Sequence, residues 1–358
     1  MKKPFAPNYL PINLDEKDII EILRLEMDAR VKIERYSQML SNSLIQDDIL
    51  MMFSMNESVQ STKIEGTQAT FDEVIESEIT GEKKRDVQEV LNYLEALHRG
   101  ADLLKSIPLS TRLFLQLHSI ILRDSRGQNR SPGEYRKIQN FIGPTNRIED
   151  ASYIPPEPQL INSYMSNLEE YMNNNIDDSL GPIARAAIIH AQFETVHPFL
   201  DGNGRLGRIL IILYFLDQKI LQVPSFFISE QLEKNKYKYY SLLNNLRTSN
   251  PNWKDWILFF LQSSIAQAEY YIEKLQKIES LCIQMIEFSK TNNVRDDIVM
   301  FIFRKPVFTI KDVENALNIS YNTARNNISK LVQSGKIYED DKKRNRVYRF
   351  YDFMDIIR

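Results

Sequence analysis

The stretch His197-Pro198-Phe199-Leu200-Asp201-Gly202-Asn203-Gly204-Arg205-Leu206-Gly207-Arg208 gathers more reactive chemistry than any other part of this chain. It offers one histidine, one carboxylate, three turn-prone residues and two arginines three apart. Pro198 disfavours helix at His197, so a helix arriving from upstream should stop there. Gly202 and Gly204 allow the dihedrals that crowded N–H groups need. The apolar run Ile209 to Leu216 reads as a buried helix starting near Gly204. A tight loop feeding a helix N-terminus is an anion site, because free N–H groups converge and the helix dipole favours negative charge. Arg205 and Arg208 share one side of the first turns, and their guanidinium forks suit phosphate oxygens. Asp201 stands where a phosphate-bound Mg²⁺ wants a hard oxygen ligand. His197 is a candidate base near neutral pH. Taken singly, Asp201 could be a helix cap and the arginines solvated charges. Taken together, the residues describe phosphoryl-type or nucleotidyl transfer from a Mg²⁺-nucleotide.

These residues resemble the core motif of the Fic (Fic/Doc) family, H-P-F-x-D-G-N-G-R-x-x-R, at every fixed position from His197 to Arg208. The resemblance implies transfer of AMP from ATP to a Ser, Thr or Tyr hydroxyl of a protein, with Mg²⁺ as cofactor. It implies that His197 takes the proton of the attacking hydroxyl and that Asp201 holds Mg²⁺ on the α- and β-phosphates. Gly202, Asn203 and Gly204 would cradle phosphates through backbone N–H groups. Arg205 would bind phosphate oxygens and Arg208 the γ-phosphate, with Leu206 and Gly207 completing the nucleotide-binding stretch. The Doc branch, which transfers phosphate, usually carries Ala and Lys where Gly202 and Gly204 stand here. That departure favours AMP transfer.

The elements that must position this loop lie mostly upstream. Helical periodicity begins at Glu16, after an extended arm holding Pro4, Pro7 and Pro11, and runs with breaks to Met55. Ser61 and Glu65 then lie four apart on one helix face, before the natural stop Gly66. Ser61 to Gly66 resembles the family's inhibitory motif, S/T-x-x-x-E-G/N. The resemblance implies that Glu65 pairs with Arg208 and takes the place of the γ-phosphate. Alone, the pattern is also that of an ordinary Glu in a last helical turn. In some relatives the same glutamate supports removal of AMP, so de-AMPylation at the same site stays open.

Thr70-x-x-Glu73 reads as a capping box. Val87 to Leu104 and Leu113 to Leu122 read as amphipathic helices, with His98 and His118 as packing residues. The tract 123–158 is irregular, with two short extended pieces around a turn at Pro144 to Arg147. Gln139, Asn140, Phe141, Ile142 and Gly143 resemble the family's β-hairpin flap, which implies docking of the target segment as an added strand. Leu160 to Tyr171 and Pro182 to Glu194 are helical, with His190 in the core or behind the site. Ile228 to Leu246 is helical and carries Tyr240, which the resemblance places against the adenine. Trp253 to Gln267 and Glu269 to Phe288 read as two further helices.

From about Asn292 the pattern becomes helix, turn, helix and two strands, Ile337–Glu339 and Arg346–Phe350. Lys342, Lys343 and Arg344 sit at the tip between those strands. This resembles a winged helix-turn-helix. Tyr321, Asn322, Thr323, Arg325 and Asn326 are its candidate DNA contacts. The few cations on that helix weigh against DNA as the partner, and winged helices also dock proteins or second copies.

Composition sets the outer bounds. The chain has 358 residues, 43% hydrophobic and 26% charged, with net charge −3. That is a soluble profile without a large field for nucleic acid or membranes. One cysteine, Cys282, rules out an internal disulfide framework and suits a reducing cytoplasm. No apolar run reaches the ~20 residues of a membrane helix. Four histidines without paired spacing argue against zinc.

The expected fold is mainly α. A Fic-type helical core with a hairpin flap is followed by a C-terminal winged helix. The expected division is 1–110 with the inhibitory helix, 111–290 as catalytic core and trailing helices, and 291–358 as winged helix. The expected activity is self-inhibited protein adenylyl transfer, to a target protein or the chain itself, with a homodimer as a further partner. A nucleotide-sensing transcription regulator is the alternative from another class.

Overall fold

Helix dominates the computed structural model, which describes residues 3–81, 84–145, 147–176, 178–342 and 345–358. After the arm come α1 (Glu16–Ser41), α2 (Gln46–Ile64), α3 (Phe71–Thr80), α4 (Arg85–Leu103) and α5 (Thr111–Ile121). The irregular tract leads to α6 (Ile161–Met172), α7 (Pro182–Val196) and α8 (Asn203–Asp217). Then follow α9 (Ser229–Lys234), α10 (Lys236–Leu246), α11 (Trp253–Asn292) and α12 (Asp296–Arg304). The chain closes with β1 (Val307–Phe308), α13 (Ile310–Leu317), α14 (Tyr321–Gln333), β2 (Tyr338–Glu339), β3 (Tyr348–Arg349) and α15 (Tyr351–Ile357).

Local chemistry sets the ends that matter. Thr70 accepts the N–H of Glu73 and the Glu73 carboxylate accepts the N–H of Thr70, so the capping box starts α3. Pro182 opens α7, where its missing N–H costs nothing. α11 is one helix of 40 residues rather than two, because Ala268, the strongest of helix formers, bridges the expected break. The single helix expected from Ile228 to Leu246 is instead divided at Asn235 into α9 and α10.

The chain forms two compact units. The first comprises Met1–Glu34, Glu57–Ala69 and Lys84–Ala268, and the second comprises Arg35–Asn56, Thr70–Lys83 and Glu269–Arg358. These limits run through α1, α2 and α11, so they do not follow the expected division at 110 and 290. In the first unit α7 and α8 pack together and are buried almost along their whole length. That explains why Pro182 to Val196 and Ile209 to Phe215 lack a polar face. α4, α5, α6 and α10 pack around this pair.

In the second unit α13 and α14 meet across Asn318, which takes the left-handed conformation, and Ser320 caps α14. A three-stranded antiparallel sheet in the order β1-β3-β2 pairs Val307 and Tyr338 with Arg349. This order of helices and strands is consistent with the expected winged helix-turn-helix. β1 and α15 carried no sequence signal, since two residues show no alternation and α15 follows β3 without a turn. Lys343 and Arg344, expected at the wing tip, lie outside the described residues. Among the described residues no helix is long and apolar enough to cross a membrane.

Candidate active site

The turn between α7 and α8 is braced by side chains from distant elements. α7 ends at His197, which adopts the left-handed conformation with φ 49°, and Gly202 at φ 79° starts α8. Arg136 Nε donates to the carbonyl of His197 at 2.9 Å, and the Arg136 N–H donates to that of Pro198 at 2.9 Å. Asn203 clasps Phe199. It accepts the Phe199 N–H at 2.9 Å and donates its Nδ2 to the Phe199 carbonyl at 2.9 Å. His118 does more than the packing expected of it. Gly133 N–H donates to its Nδ1 at 2.9 Å, so the ring proton sits on Nε2, which donates to the carbonyl of Asp201 at 2.9 Å. Burial pulls the His118 pKa down to about 4, which preserves this neutral tautomer.

His197 itself is kept neutral. Burial first, then the guanidiniums of Arg247 and Arg136, draw its pKa down to about 3. The Asp201 Oδ1 accepts the N–H of Gly202 at 2.5 Å and Nη2 of Arg205 at 3.0 Å, on a half-exposed carboxylate.

The two arginines of α8 meet different partners. Arg205 is buried, with Nη1 3.8 Å from Oε2 of Glu89 on α4. Glu89 also accepts Nε and Nη2 of Arg126 at 2.7 and 2.9 Å, and the Thr67 hydroxyl at 2.9 Å. Burial alone would raise the Glu89 pKa, but the Arg126 bonds and the Arg205 charge outweigh it and hold it low. Arg208 is 1% exposed and faces α2. Its Nε donates to Ser61 Oγ at 2.7 Å, and its Nη2 donates to the Ser61 carbonyl at 2.9 Å and to Glu65 Oε1 at 2.8 Å. A Cβ on Gly204 would lie 2.0 Å from Glu65 Oε1. A carboxylate therefore rests on the first turn of α8, where an anion is favoured.

A model of the Fic/DOC family matches residues 108–215, and one of the Fic/DOC family N-terminal region matches residues 23–102. Together they span just over half of the chain. The chain belongs to the Fic/DOC family. It is similar to the protein adenylyltransferase Fic of Drosophila grimshawi, 26% identical over 236 residues, 65% of this chain and 44% of that one. With the Drosophila willistoni protein of the same name the identity is 25% over 215 residues, 60% of this chain and 38% of that one. The chain thus spans less than half the length of these curated relatives. Among solved structures, a Fic family protein from Desulfovibrio desulfuricans shares 19% identity at a TM-score of 0.59, covering 97% of this chain and 98% of that one. Fic-1 from C. elegans shares 21% at 0.53, covering 73% of each. These likenesses concern the fold.

In this Fic/DOC chain His197, Asp201, Gly202, Asn203, Gly204, Arg205 and Arg208 come together with Ser61 and Glu65. Leu206 points into the core, and Gly207 is tight against Glu194, whose Oε1 would lie 2.9 Å from a Cβ there. Tyr240 is 37% exposed, and its hydroxyl feels the charges of Glu65 and Arg208 beyond the effect of burial. Its neighbour Tyr239 is buried, with its hydroxyl 2.9 Å from Nε2 of His190.

The flap is looser than a hairpin ladder. One bridge joins Ile142 to Tyr153, with Ile142 N–H donating at 2.8 Å, and a 3₁₀ turn at Ile148–Asp150 fills the loop. Asn146, inside the expected turn, lies outside the described residues. Gln139 and Asn140 anchor the flap base by donating to the carbonyls of Pro155 at 2.9 Å and Phe199 at 3.1 Å. Phe141 and Gly143 flank the bridged residue.

In the second unit Tyr321 and Arg325 of α14 share a concavity with Lys342 and Arg346 of the segment between β2 and β3. Arg346 pairs with Glu339 at 2.8 Å and Lys342 with Asp340 at 3.8 Å.

Sequence reasoning missed the roles of Glu57, Glu89, Arg126, Arg136 and Glu194. Four lie far from the core motif in the chain, and Glu194, three residues before His197, stands in an apolar helix; nothing in the local pattern marks any of them.

Proposed function

We propose that this chain is a self-inhibited protein adenylyltransferase that moves AMP from Mg²⁺-ATP to a hydroxyl of a protein, its own chain included. The observation that carries the reading is the Glu65 carboxylate, bonded to Arg208 and resting on the first turn of α8. An anion site already holding an anion suits both nucleotide binding and its obstruction.

The residues fit a triphosphate. Arg205 Nε and Nη1 and Arg208 Nη1 are buried donors without a hydrogen-bond partner. They lie on the turn whose leading N–H groups also lack intrahelical acceptors. Arg205 and Gly202–Gly204 would hold phosphate oxygens, and Arg208 would take the terminal phosphate once Glu65 leaves. Asp201 would hold Mg²⁺, which supplies charge neutralisation on the phosphates when bound. Tyr240 would face the base. The flap, with one bridge of its own, would offer backbone groups to an extended target segment.

The neutral ring of His197 accepts the proton of the target hydroxyl as its oxygen attacks the α-phosphorus. The new O–P bond forms as the bond to pyrophosphate breaks. A base kept neutral and held by Arg136 contributes by position, and the arginines contribute by meeting the developing charge.

The test is incorporation from α-labelled ATP with Mg²⁺, comparing wild type, Glu65→Gly, and Glu65→Gly with His197→Ala. Glu65→Gly should label itself or a bacterial lysate at least about tenfold more strongly than wild type, the cost of one charged hydrogen bond. Adding His197→Ala should remove the signal, by about a hundredfold or more for a lost general base. If all three bind ATP and none labels, the transferase reading fails. AMP release from a modified protein, dependent on Glu65, would then mark the reverse reaction.

A further inference from the structure

The inhibitory pair does not anchor itself. α2 ends at Ile64, so Glu65 stands just beyond the last helical residue, and its side chain is 35% exposed. What sets its position must lie in the preceding turns. Glu57, Ser61 and Glu65 recur at four-residue spacing and form one stripe. Glu57 is a carboxylate buried to 3% exposure, one turn behind Ser61. Burying such a group is costly unless its bonds are complete and well placed.

Those bonds join three helices. Glu57 Oε1 accepts the Tyr93 hydroxyl of α4 at 2.8 Å and the Ser229 hydroxyl of α9 at 2.5 Å. Its Oε2 accepts the Ser229 N–H at 3.3 Å, at the first residue of α9. One turn on, the Ser61 Oγ accepts from Arg208 Nε at 2.7 Å. Successive turns of α2 are therefore tied to Tyr93 and Ser229 through Glu57 and to Arg208 through Ser61. On the outer face Lys63 pairs with Glu233 of α9 at 3.1 Å.

We propose that Glu57 is a positioning residue of the inhibitory contact, fixing the end of α2 through Tyr93 and Ser229 so that Ser61 and Glu65 meet Arg208. The proposal rests on the self-inhibited reading above and adds where the latch lies. It places the release point on the α9 side of α2. A motion of α9, which leads directly into the helix bearing Tyr240, would loosen Ser229 from Glu57 and free Glu65.

The experiment uses the full chain with Glu57→Gln and Tyr93→Phe, each alone and with Glu65→Gly. Glu57→Gln keeps the volume but can set an amide donor against the Ser229 N–H. Tyr93→Phe removes one hydroxyl. Each should raise self-labelling from α-labelled ATP about tenfold over wild type, the size of one lost hydrogen bond to a charged group. Neither should raise it further once Glu65 is glycine. A rise of equal size in the Glu65→Gly background would mean general loosening and would overturn the proposal, as would no rise in folded variants.

Hydrogen exchange of amides 57–65 is the second readout and does not depend on transfer. Both variants should speed exchange there and leave α7 unchanged. If Glu65→Gly itself labels nothing, the transferase reading fails, and exchange alone decides the latch. Unchanged exchange at 57–65 would overturn it.

Discussion

Arg205 and Arg208 leave the same stretch of α8 three residues apart, both are buried, and each faces a carboxylate. Their partners differ in kind. Glu89 lies within α4, in its second turn, and is shared with Arg126 and Thr67, so the acid facing Arg205 is held by three other bonds. Glu65 hangs beyond the end of α2 and faces Arg208 from a half-exposed position. One arginine has a permanent partner and keeps two nitrogens without a hydrogen bond, Nε and the Nη1 that faces Glu89 at 3.8 Å. The other has a removable partner standing where a ligand would be. The same residue type at neighbouring positions thus serves as fixed machinery and as a switch, and what decides is how the acid is anchored.

Removing each acid should therefore have opposite effects. Glu65→Gly should raise activity with little loss of stability. Glu89→Gln leaves two guanidiniums facing a neutral amide, one of them buried. Breaking a buried pair typically costs about 3 kcal/mol or more, and here the half-exposed Arg126 reduces that to roughly 2 kcal/mol. A urea unfolding curve should show a lower midpoint at unchanged slope, and label transfer in the Glu65→Gly background should fall. If Glu89→Gln activates instead, the two arginines are equivalent and the contrast is wrong.

The contrast was only half legible in the sequence. His197 to Arg208 announces itself because its parts are contiguous and their types are dictated by anion chemistry. Ser61 and Glu65 are legible through spacing, since a helix puts residues four apart on one face. Glu89 and Glu57 are not. Each is a lone acid inside a helix, and its partners are 22 or more residues away in the chain. His118 misled for the same reason, because a histidine on a buried stripe is usually packing. The fold was read well where the helical period is clear, as in α4 and α5. It was read badly where an element has two residues, as in β1, or where a break was inferred without a Gly or Pro, as in α11.

His118 tests how far fixed machinery extends on the Arg205 side. Its Nε2–H holds the Asp201 carbonyl and its ring lies 3.7 Å from that of Phe199. His118→Phe keeps the stacking and loses the bond. The loop bearing Asp201 should then sample positions unfit for Mg²⁺-ATP. In the Glu65→Gly background kcat should drop about tenfold, within the range that misplacement by an ångström can cost. Nucleotide affinity should weaken less. Unchanged kcat would show that Asn203 and Arg136 suffice to hold the turn.

The smallest effect separates the two sides by pH. Glu194, buried on α7, has its pKa raised to about 7 by burial and then by Glu65, against the lowering pull of Arg208 and Arg247. Its ordinary value is 4.5. A raised carboxyl contributes stability that is complete below 4.5 and is lost as pH rises through about 7. Above that point a second negative charge stands beside Glu65 and competes for Arg208. The Glu89 pKa is held low, so nothing comparable happens beside Arg205 until the solution is acid. Wild-type labelling, taken as a fraction of Glu65→Gly labelling at each pH, should therefore climb a few-fold from pH 6 to pH 8. The ratio cancels any titration of His197, which both forms share. Glu194→Gln should flatten the climb while leaving the ratio at pH 6 in place. A ratio that falls with pH, or an equal climb in Glu194→Gln, would assign the pH dependence to another group and remove Glu194 from the switch.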